Sequence, residues 1–206
     1  MEKHEAIMEA FIALYDGQLE ECRELLRRSY PFDPRTKPRQ VPAREDQVSG
    51  GVRPQSAWDA DPGLKMQVFK RDGFVNRFTG EPLVLTAALR LLSHEAPEEF
   101  PHQTNWKLGQ THIAYYDLGT CANKLLPPTR GGVEDESNLV TTTMPYVMAR
   151  GNATVEEAGL EIVPVGDAEE WDGLSRMFVD VVRQRPELKK LSFVRSWYPA
   201  VARSFR

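Results

Sequence analysis

Three basic residues occur in the segment from Ala122 to Gly151, which reads ANKLLPPTRGGVEDESNLVTTTMPYVMARG. Lys124, Arg130 and Arg150 carry side chains of the kind that contact backbone phosphates in nucleic-acid-binding proteins. The same residues also occur as ordinary solvated surface charges, and their spacing alone does not distinguish the two interpretations. The segment therefore has two open interpretations, a phosphate-binding surface and a charged surface without a ligand.

His112 is the second candidate, in the motif THIAYYD shortly before this segment. A histidine there can contact a phosphate or support a reacting group, and it is also a residue type that proteins bury with hydrogen-bonded partners. The structural interpretation is favoured by its aromatic neighbours in the sequence, which are Trp106, Tyr115 and Tyr116.

Cys121 stands three residues before Lys124 and nine after His112. A thiol beside a cation and a histidine is one arrangement that activates a cysteine nucleophile. A cysteine on a strand is more often a small apolar residue that fills the buried face. We favour the second interpretation for Cys121, and chemistry at the thiol stays open as an alternative.

A β-hairpin followed by a short helix is the structure that would position these residues. Two short apolar runs, CANKLLP and NLVTTTM, are separated by a Gly-Gly turn and an acidic stretch, which predicts two strands with a wide loop. PYVMARG then predicts a helix that ends at Gly151. The adjacent acids Glu134, Asp135 and Glu136 are interpreted as a solvated turn.

The rest of the chain is mostly helical in pattern. Apolar residues recur at steps of three and four along residues 3 to 29, which predicts one helix, and further helices are predicted on both sides of the hairpin. We predict an α+β fold with an N-terminal helix at 1–33, a linker or arm rich in proline and glycine at 34–62, and a domain with a C-terminal helical extension at 63–206. The alternative for 34–62 is a loop held to the domain by Val41, Val48 and Trp58.

Composition limits the class of protein. The 206 residues carry 26 basic and 30 acidic side chains, a formal net charge of −4, so the chain as a whole has no strong attraction for nucleic acid. Two cysteines without CxxC spacing predict free thiols and support neither a disulfide framework nor a zinc finger. The acidic N-terminus and the lack of a long apolar run predict a cytoplasmic protein without a membrane partner. DNA is one candidate partner, and another protein is the other.

Several segments together resemble one bacterial subfamily of the HNH endonucleases, over roughly residues 64 to 175. They are MQVFKRDGFVNRFTGEPLV, LRLLSHEAPEEFPHQTNWKLGQTHIAYYDL, RGGVEDESNLVTTTM, TVEEAGLEI and EWDGL. The resemblance implies a ββα-metal fold, in which a hairpin and a helix hold one divalent ion. In such a site an Asp and a residue on the helix bind the ion, a neighbouring His takes a proton from water, and a central Asn holds the loop.

The resemblance also assigns positions, and the chemical ones are substituted. Asn123 stands at the position of the metal-binding Asp, Lys124 at the position of the His base, and Val147 at the position of the metal ligand on the helix. Asn138 matches the Asn that holds the loop, and His112 matches a His of the subfamily pattern. We expect positions 123, 124 and 147 to converge on one small pocket.

The substitutions leave three hypotheses about function. The first is a cleavage-deficient relative of the HNH endonucleases that binds nucleic acid or regulates a partner and needs no cofactor. Its site positions are His112, Lys124 and Asn138, and its phosphate contacts are Lys124, Arg130 and Arg150. The second is an active DNA endonuclease that holds Mg²⁺ or another divalent cation with different ligands, for example Asp117 and His112. The third is a fold used for other chemistry or for small-molecule binding around Cys121. We favour the first.

Overall fold

The computed structural model describes residues 2–41 and 61–205. These residues form eight α-helices and one two-stranded antiparallel sheet, so the protein is α+β. No helix within the described residues is long and apolar enough to cross a membrane. The elements, in chain order within their classes, are α1 (Lys3–Tyr15), α2 (Leu19–Ser29), α3 (Pro62–Arg71), α4 (Thr86–Glu95), α5 (Ala114–Asp117), α6 (Met144–Arg150), α7 (Ser175–Gln184), α8 (Ser192–Ser204), β1 (Cys121–Lys124) and β2 (Leu139–Thr142).

The chain divides into two compact units that alternate along the sequence. The first unit contains residues 1–38, 84–119 and 174–206, and the second contains residues 39–83 and 120–173. The sequence-based prediction instead divides the chain into three continuous ranges, 1–33, 34–62 and 63–206. Most of the predicted arm at 34–62 lies outside the described residues, including Val48 and Trp58, and its interpretation as a linker stays a prediction.

The prediction of a single helix over residues 3 to 29 is wrong, because the chain turns between α1 and α2. Gly17 adopts a left-handed conformation with φ +76°, which favours glycine. Its amide donates to the Leu14 carbonyl at 3.1 Å, and the Gln18 amide donates to the Ala13 carbonyl at 2.8 Å. These bonds satisfy the last carbonyls of α1, as a C-terminal glycine motif does. The apolar periodicity continues through the turn because α1 and α2 pack against each other.

The first unit is a helical assembly with an apolar centre. α4 packs against α7 and α8, and α1 packs against α7 as well as α2. The large side chains that are fully buried within this unit include Ile7, Phe11, Leu26, Leu89, Phe100, Tyr115 and Phe178. Since such side chains contribute about 1.5–3 kcal/mol each when buried, this centre supplies much of the stability of the unit.

The second unit is built around the hairpin of β1 and β2. The strands pair with Cys121 opposite Thr142, Ala122 opposite Thr141, Asn123 opposite Val140 and Lys124 opposite Leu139. α3 packs against both strands, and α6 packs against β1. All eight strand residues are buried, so both faces of this small sheet are covered.

A buried carboxylate joins α3 to the edge of β2 that does not pair with β1. Asp72, directly after α3, accepts hydrogen bonds from the Thr141 amide at 2.7 Å and from Arg77 Nη1 at 2.8 Å. The Arg77 amide donates to the Thr141 carbonyl at 2.9 Å. Arg71 Nη2 donates to the Leu139 carbonyl at 2.6 Å, and the Leu139 amide donates to the Glu136 carbonyl. The outward-facing backbone groups of Leu139 and Thr141 therefore all have partners.

Candidate functional site

The hairpin loop is held closed by the side chain of Asn138. Its Oδ1 accepts from the Leu126 amide at 2.8 Å, while its Nδ2 donates to the carbonyls of Leu126 at 3.0 Å and Val133 at 2.7 Å. Gly132 lies against the same carbonyl, so that a Cβ at this position would be 1.8 Å from the Leu126 oxygen. The loop geometry thus requires both the amide of Asn138 and a glycine at position 132.

On one face of β1, Asn123 is bonded to an arginine of α6. Arg150 Nη2 donates to Asn123 Oδ1 at 2.7 Å, and Nη1 donates to the Leu125 carbonyl at 2.9 Å. Arg150 is only 4% exposed, and burial lowers the pKa of its guanidinium to about 10. The group stays charged at neutral pH because that value is well above 7. Arg150 is therefore an internal cation that connects α6 to the end of β1.

The residues at this place do not fit a divalent metal ion. Val147, one helical turn before Arg150, is buried, and its side chain has no oxygen, nitrogen or sulfur atom that could bind a metal ion. The only carbonyl oxygen of the Asn123 side chain already accepts from Arg150. Two buried polar atoms at this place have no hydrogen-bond partner among the described residues, Asn123 Nδ2 and Arg150 Nε, and both are hydrogen-bond donors. Donors and a positive charge repel a cation, which needs oxygen lone pairs.

Across the whole described part of the chain, His, Cys, Asp and Glu side chains form no group of three that could hold a metal ion.

Lys124 has a different partner from Asn123. Its ammonium forms an ion pair with Glu134 of the hairpin loop, with 2.6 Å between Nζ and Oε2. Successive residues of a strand point to opposite faces, so the two side chains leave β1 on opposite sides. The structure thus brings Asn123 to the helix that carries Val147, and it pairs Lys124 with the loop.

Arg130 lies at the outer end of the loop with its side chain 53% exposed. Its Nη2 is 3.0 Å from Glu157 Oε1. Glu157 also accepts a hydrogen bond from the Thr154 amide at 2.9 Å, and this bond, followed by the charge of Arg130, lowers the pKa of the carboxyl. Of the three basic residues singled out in the sequence, Arg130 is the one most open to solvent.

His112 belongs to the first unit, and both of its ring nitrogens have partners. Nδ1 accepts from the Ala114 amide at 3.1 Å, so Nε2 carries the proton and donates to the Tyr30 carbonyl at 3.0 Å. The ring stacks on Phe100 with 4.1 Å between centroids. Burial lowers the pKa of His112 to about 4, so the imidazole is neutral at pH 7. In this arrangement neither nitrogen offers a lone pair to a metal or a proton to be transferred.

Asp117, the partner ligand in the active-nuclease hypothesis, has partners at Oδ2, whereas its buried Oδ1 has no hydrogen-bond partner among the described residues. Its Oδ2 lies 2.5 Å from Lys3 Nζ and accepts from the Tyr30 hydroxyl at 3.2 Å. A metal ion at Asp117 would lie beside the Lys3 ammonium, whose positive charge repels it, and His112 would supply no free lone pair. The geometry therefore gives no separate support to a metal site made of Asp117 and His112.

Cys121 is buried at the start of β1, and burial raises the pKa of its thiol to about 12. At neutral pH the group is a thiol and not a thiolate, which is the reactive form. Cys22 is buried in α2, and both cysteines are free. Neither thiol has the exposure or the charge state of a nucleophile.

Sequence reasoning missed two contacts that define the site. Glu134, interpreted as part of a solvated turn, is the partner of Lys124, and no local pattern links residues ten positions apart across a loop. Arg150, interpreted as a phosphate contact, is buried against β1. A signal for this second contact was present, because Arg150 lies three residues after the buried Val147 and therefore on the same face of α6.

The hairpin unit thus combines a closed loop, a buried guanidinium and two cations paired with carboxylates. Such an arrangement can hold an anion by exchange of partners, and among the described residues it offers no group of three His, Cys, Asp or Glu side chains that could hold a metal ion. In comparisons with known proteins, no family model, no curated protein and no solved structure matches the chain.

Proposed function

We propose that this protein is a cleavage-deficient relative of the HNH endonucleases that binds DNA without hydrolysing it. The observation that carries the proposal is the bond of 2.7 Å from Arg150 Nη2 to Asn123 Oδ1. It uses the one oxygen that remains at the position where the resemblance expects a metal-binding carboxylate. A guanidinium, fixed in the chain, connects strand and helix where a nuclease of this type would use an ion.

Hydrolysis of DNA by the HNH mechanism would lack both its general base and its metal ion in this protein. A general base contributes typically 10²–10⁴-fold to such a reaction. Lys124, at the position of the base, is engaged as a cation with Glu134 at 2.6 Å. A metal ion would activate water and stabilise the leaving oxygen, and Val147 and Asn123 do not supply its ligands. Hydrolysis of a phosphodiester has no evident route through these residues.

Binding, in contrast, requires only what the hairpin retains. The Asn138 side chain closes the loop by accepting one hydrogen bond and donating two, and Arg130 stands half-exposed at the outer end of the loop. Contacts to backbone phosphates depend on such positive groups and on a fixed geometry, not on a catalytic ion. With a net charge of −4, attraction to DNA must come from a local surface of this kind.

The test measures binding and cleavage on the same preparation. Fluorescence anisotropy with a short duplex DNA is recorded over a series of salt concentrations, and plasmid nicking is followed with Mg²⁺ and with Mn²⁺. We expect salt-dependent binding and no nicking above background. Arg130→Gln should reduce the slope of log K against log salt by about 0.9, the change expected for one phosphate contact. Arg195→Gln, which removes the same charge from an exposed position of α8, is the matched control.

Each outcome has a distinct meaning. Metal-dependent nicking that disappears in Asp117→Asn would replace the proposal with the active-nuclease hypothesis. No binding to DNA at low salt would exclude a DNA-binding role and leave a protein partner as the candidate. Equal effects of Arg130→Gln and Arg195→Gln would show that the hairpin loop is not the contact surface.

A further inference from the structure

We infer that Glu134 masks Lys124 in the free protein, and that a DNA phosphate replaces the Glu134 carboxylate when DNA binds. The inference rests on the proposed function and adds a regulatory contact to it. It begins from the ion pair between Lys124 Nζ and Glu134 Oε2 at 2.6 Å.

The two partners differ strongly in exposure. The Lys124 side chain is 8% exposed, whereas the Glu134 side chain is 34% exposed. A buried ammonium that loses its counter-ion is strongly destabilised, so Lys124 needs an anion at all times. Glu134, in contrast, can return to water at little cost. The buried Lys124 ammonium is therefore stable only while an anion, either the Glu134 carboxylate or a replacement for it, lies beside it.

The backbone on both sides of Glu134 is fixed. Before it, the Val133 carbonyl accepts from Asn138 Nδ2 at 2.7 Å. After it, the Asp135 carboxylate accepts from the Asn138 amide at 3.0 Å and from the Ser137 hydroxyl at 2.6 Å. Because these bonds do not involve the Glu134 side chain, its carboxylate can leave Lys124 by a rotamer change alone. The loop needs no rearrangement for the exchange.

A phosphodiester oxygen fits the vacated position by its chemistry. Carboxylate and phosphate oxygens are both anionic acceptors that form charge-assisted bonds with an ammonium. Exchange of one for the other keeps Lys124 neutralised, and it turns Glu134 outward. Arg130, in the same loop and half-exposed, supplies a second positive group for the same DNA. DNA thus competes with an internal anion for Lys124, which weakens binding relative to an unmasked site.

The experiment is a double-mutant cycle in the full chain, with anisotropy of a short fluorescent duplex DNA as the readout. Glu134→Gln keeps an amide oxygen near Lys124 and removes the competing charge. We expect about fivefold tighter binding, equal to ~1 kcal/mol at 1.4 kcal/mol per factor of ten. The slope of log K against log salt should become steeper by up to about 0.9, because no internal carboxylate then offsets the phosphate that Lys124 binds.

Two further variants make the effect specific. In the Lys124→Met background, Glu134→Gln should give no gain, because there is no ammonium to unmask. Glu136→Gln is the matched control, since it removes an equal charge from the same loop and its carboxylate makes no ion pair with any described residue. Thermal unfolding of each variant confirms that the chain is folded under the conditions of the binding assay.

The results separate this inference from the proposed function. Equal affinity of the wild-type protein and Glu134→Gln, with both bound to DNA, would overturn the masking contact and leave DNA binding intact. A gain from Glu136→Gln as large as that from Glu134→Gln would also overturn it, because the effect would then be a general change of charge. No binding by any variant at low salt would overturn both the inference and the proposed function.

Discussion

Replacement of Arg150 by methionine tests whether the internal guanidinium holds the hairpin unit together. Methionine has a similar length and fills the same buried volume, but it donates no hydrogen bond. Arg150→Met leaves Asn123 Oδ1 and the Leu125 carbonyl without the donors that now lie at 2.7 and 2.9 Å. We expect the second unit to lose stability, with the loss concentrated where α6 meets β1.

Two opposing contributions set the magnitude. Hydrogen bonds to a charged group contribute about 1.5–3 kcal/mol each, so the two bonds of the guanidinium are worth roughly 3–6 kcal/mol. Burial lowers the pKa of Arg150 from 12.5 to about 10, and this opposing cost is about 3 kcal/mol at 1.4 kcal/mol per pH unit. The difference favours the arginine by roughly 0–3 kcal/mol. Near the middle of that range, at about 2 kcal/mol, a protein of this size would lose about 4–8 °C in Tm.

The assay is urea unfolding followed by tryptophan fluorescence, with amide hydrogen exchange of β1 and α6 as the local readout. Asn123→Leu combined with Arg150→Met removes the polar partner as well, so the double variant should regain about 1 kcal/mol or more over Arg150→Met alone. Arg195→Met, at an exposed position of α8, controls for the loss of charge. Arg150→Met with wild-type stability, or a double variant less stable than Arg150→Met, would refute this account of the guanidinium.

Three further predictions concern acid, metal and the loop. The pKa of His112 is about 4 when folded and near 6.5 when unfolded, so the unfolded state binds the proton first and stability falls from pH 6.5 towards pH 4, by up to about 3 kcal/mol. His112→Gln should flatten this dependence in urea unfolding. Millimolar Mg²⁺ or Mn²⁺ should leave the Tm unchanged and give no binding heat in calorimetry. Asn138→Ala removes three hydrogen bonds and should cost about 1–3 kcal/mol, with faster amide exchange in the loop.

Each of these has a clear contrary result. An unchanged acid response in His112→Gln would assign the pH dependence to other groups, among them His102, whose pKa burial also lowers to about 4. A rise in Tm with Mn²⁺ would mean that an ion binds despite the donors at Asn123 and Arg150. Normal loop exchange in Asn138→Ala would mean that the glycine turn alone closes the loop.

Local patterns in the sequence were sufficient to predict the hairpin and the helix after it. The apolar runs around the Gly-Gly turn correspond to β1 and β2, and the helix ends at Arg150, just before Gly151, as predicted. Gly17 shows the limit of this reasoning. The apolar repeat on both sides of it is continuous, because two packed helices bury the same face, and only the φ of +76° separates one helix from two.

Contacts between residues far apart in the sequence could not be predicted from local patterns, because these contacts depend on tertiary packing. Glu134 could have been solvated or paired, and the choice depends on where the loop places it relative to Lys124. The alternation of the two units along the chain has the same origin, since segments such as 84–119 and 174–206 join one unit through tertiary packing that no local periodicity encodes. Asp72 likewise gave no signal, although it connects α3 to β2.

The partners along β2 also affect how copies of this protein behave at high concentration. An unpaired row of backbone amides and carbonyls is a template on which a foreign strand can assemble, the first step of fibre growth. Here Asp72, Arg77, Arg71 and the Glu136 carbonyl already occupy that row. A foreign strand therefore finds no unpaired backbone group of Leu139 or Thr141 on this side of the two-stranded sheet, and Asp72→Ala would free only the Thr141 amide.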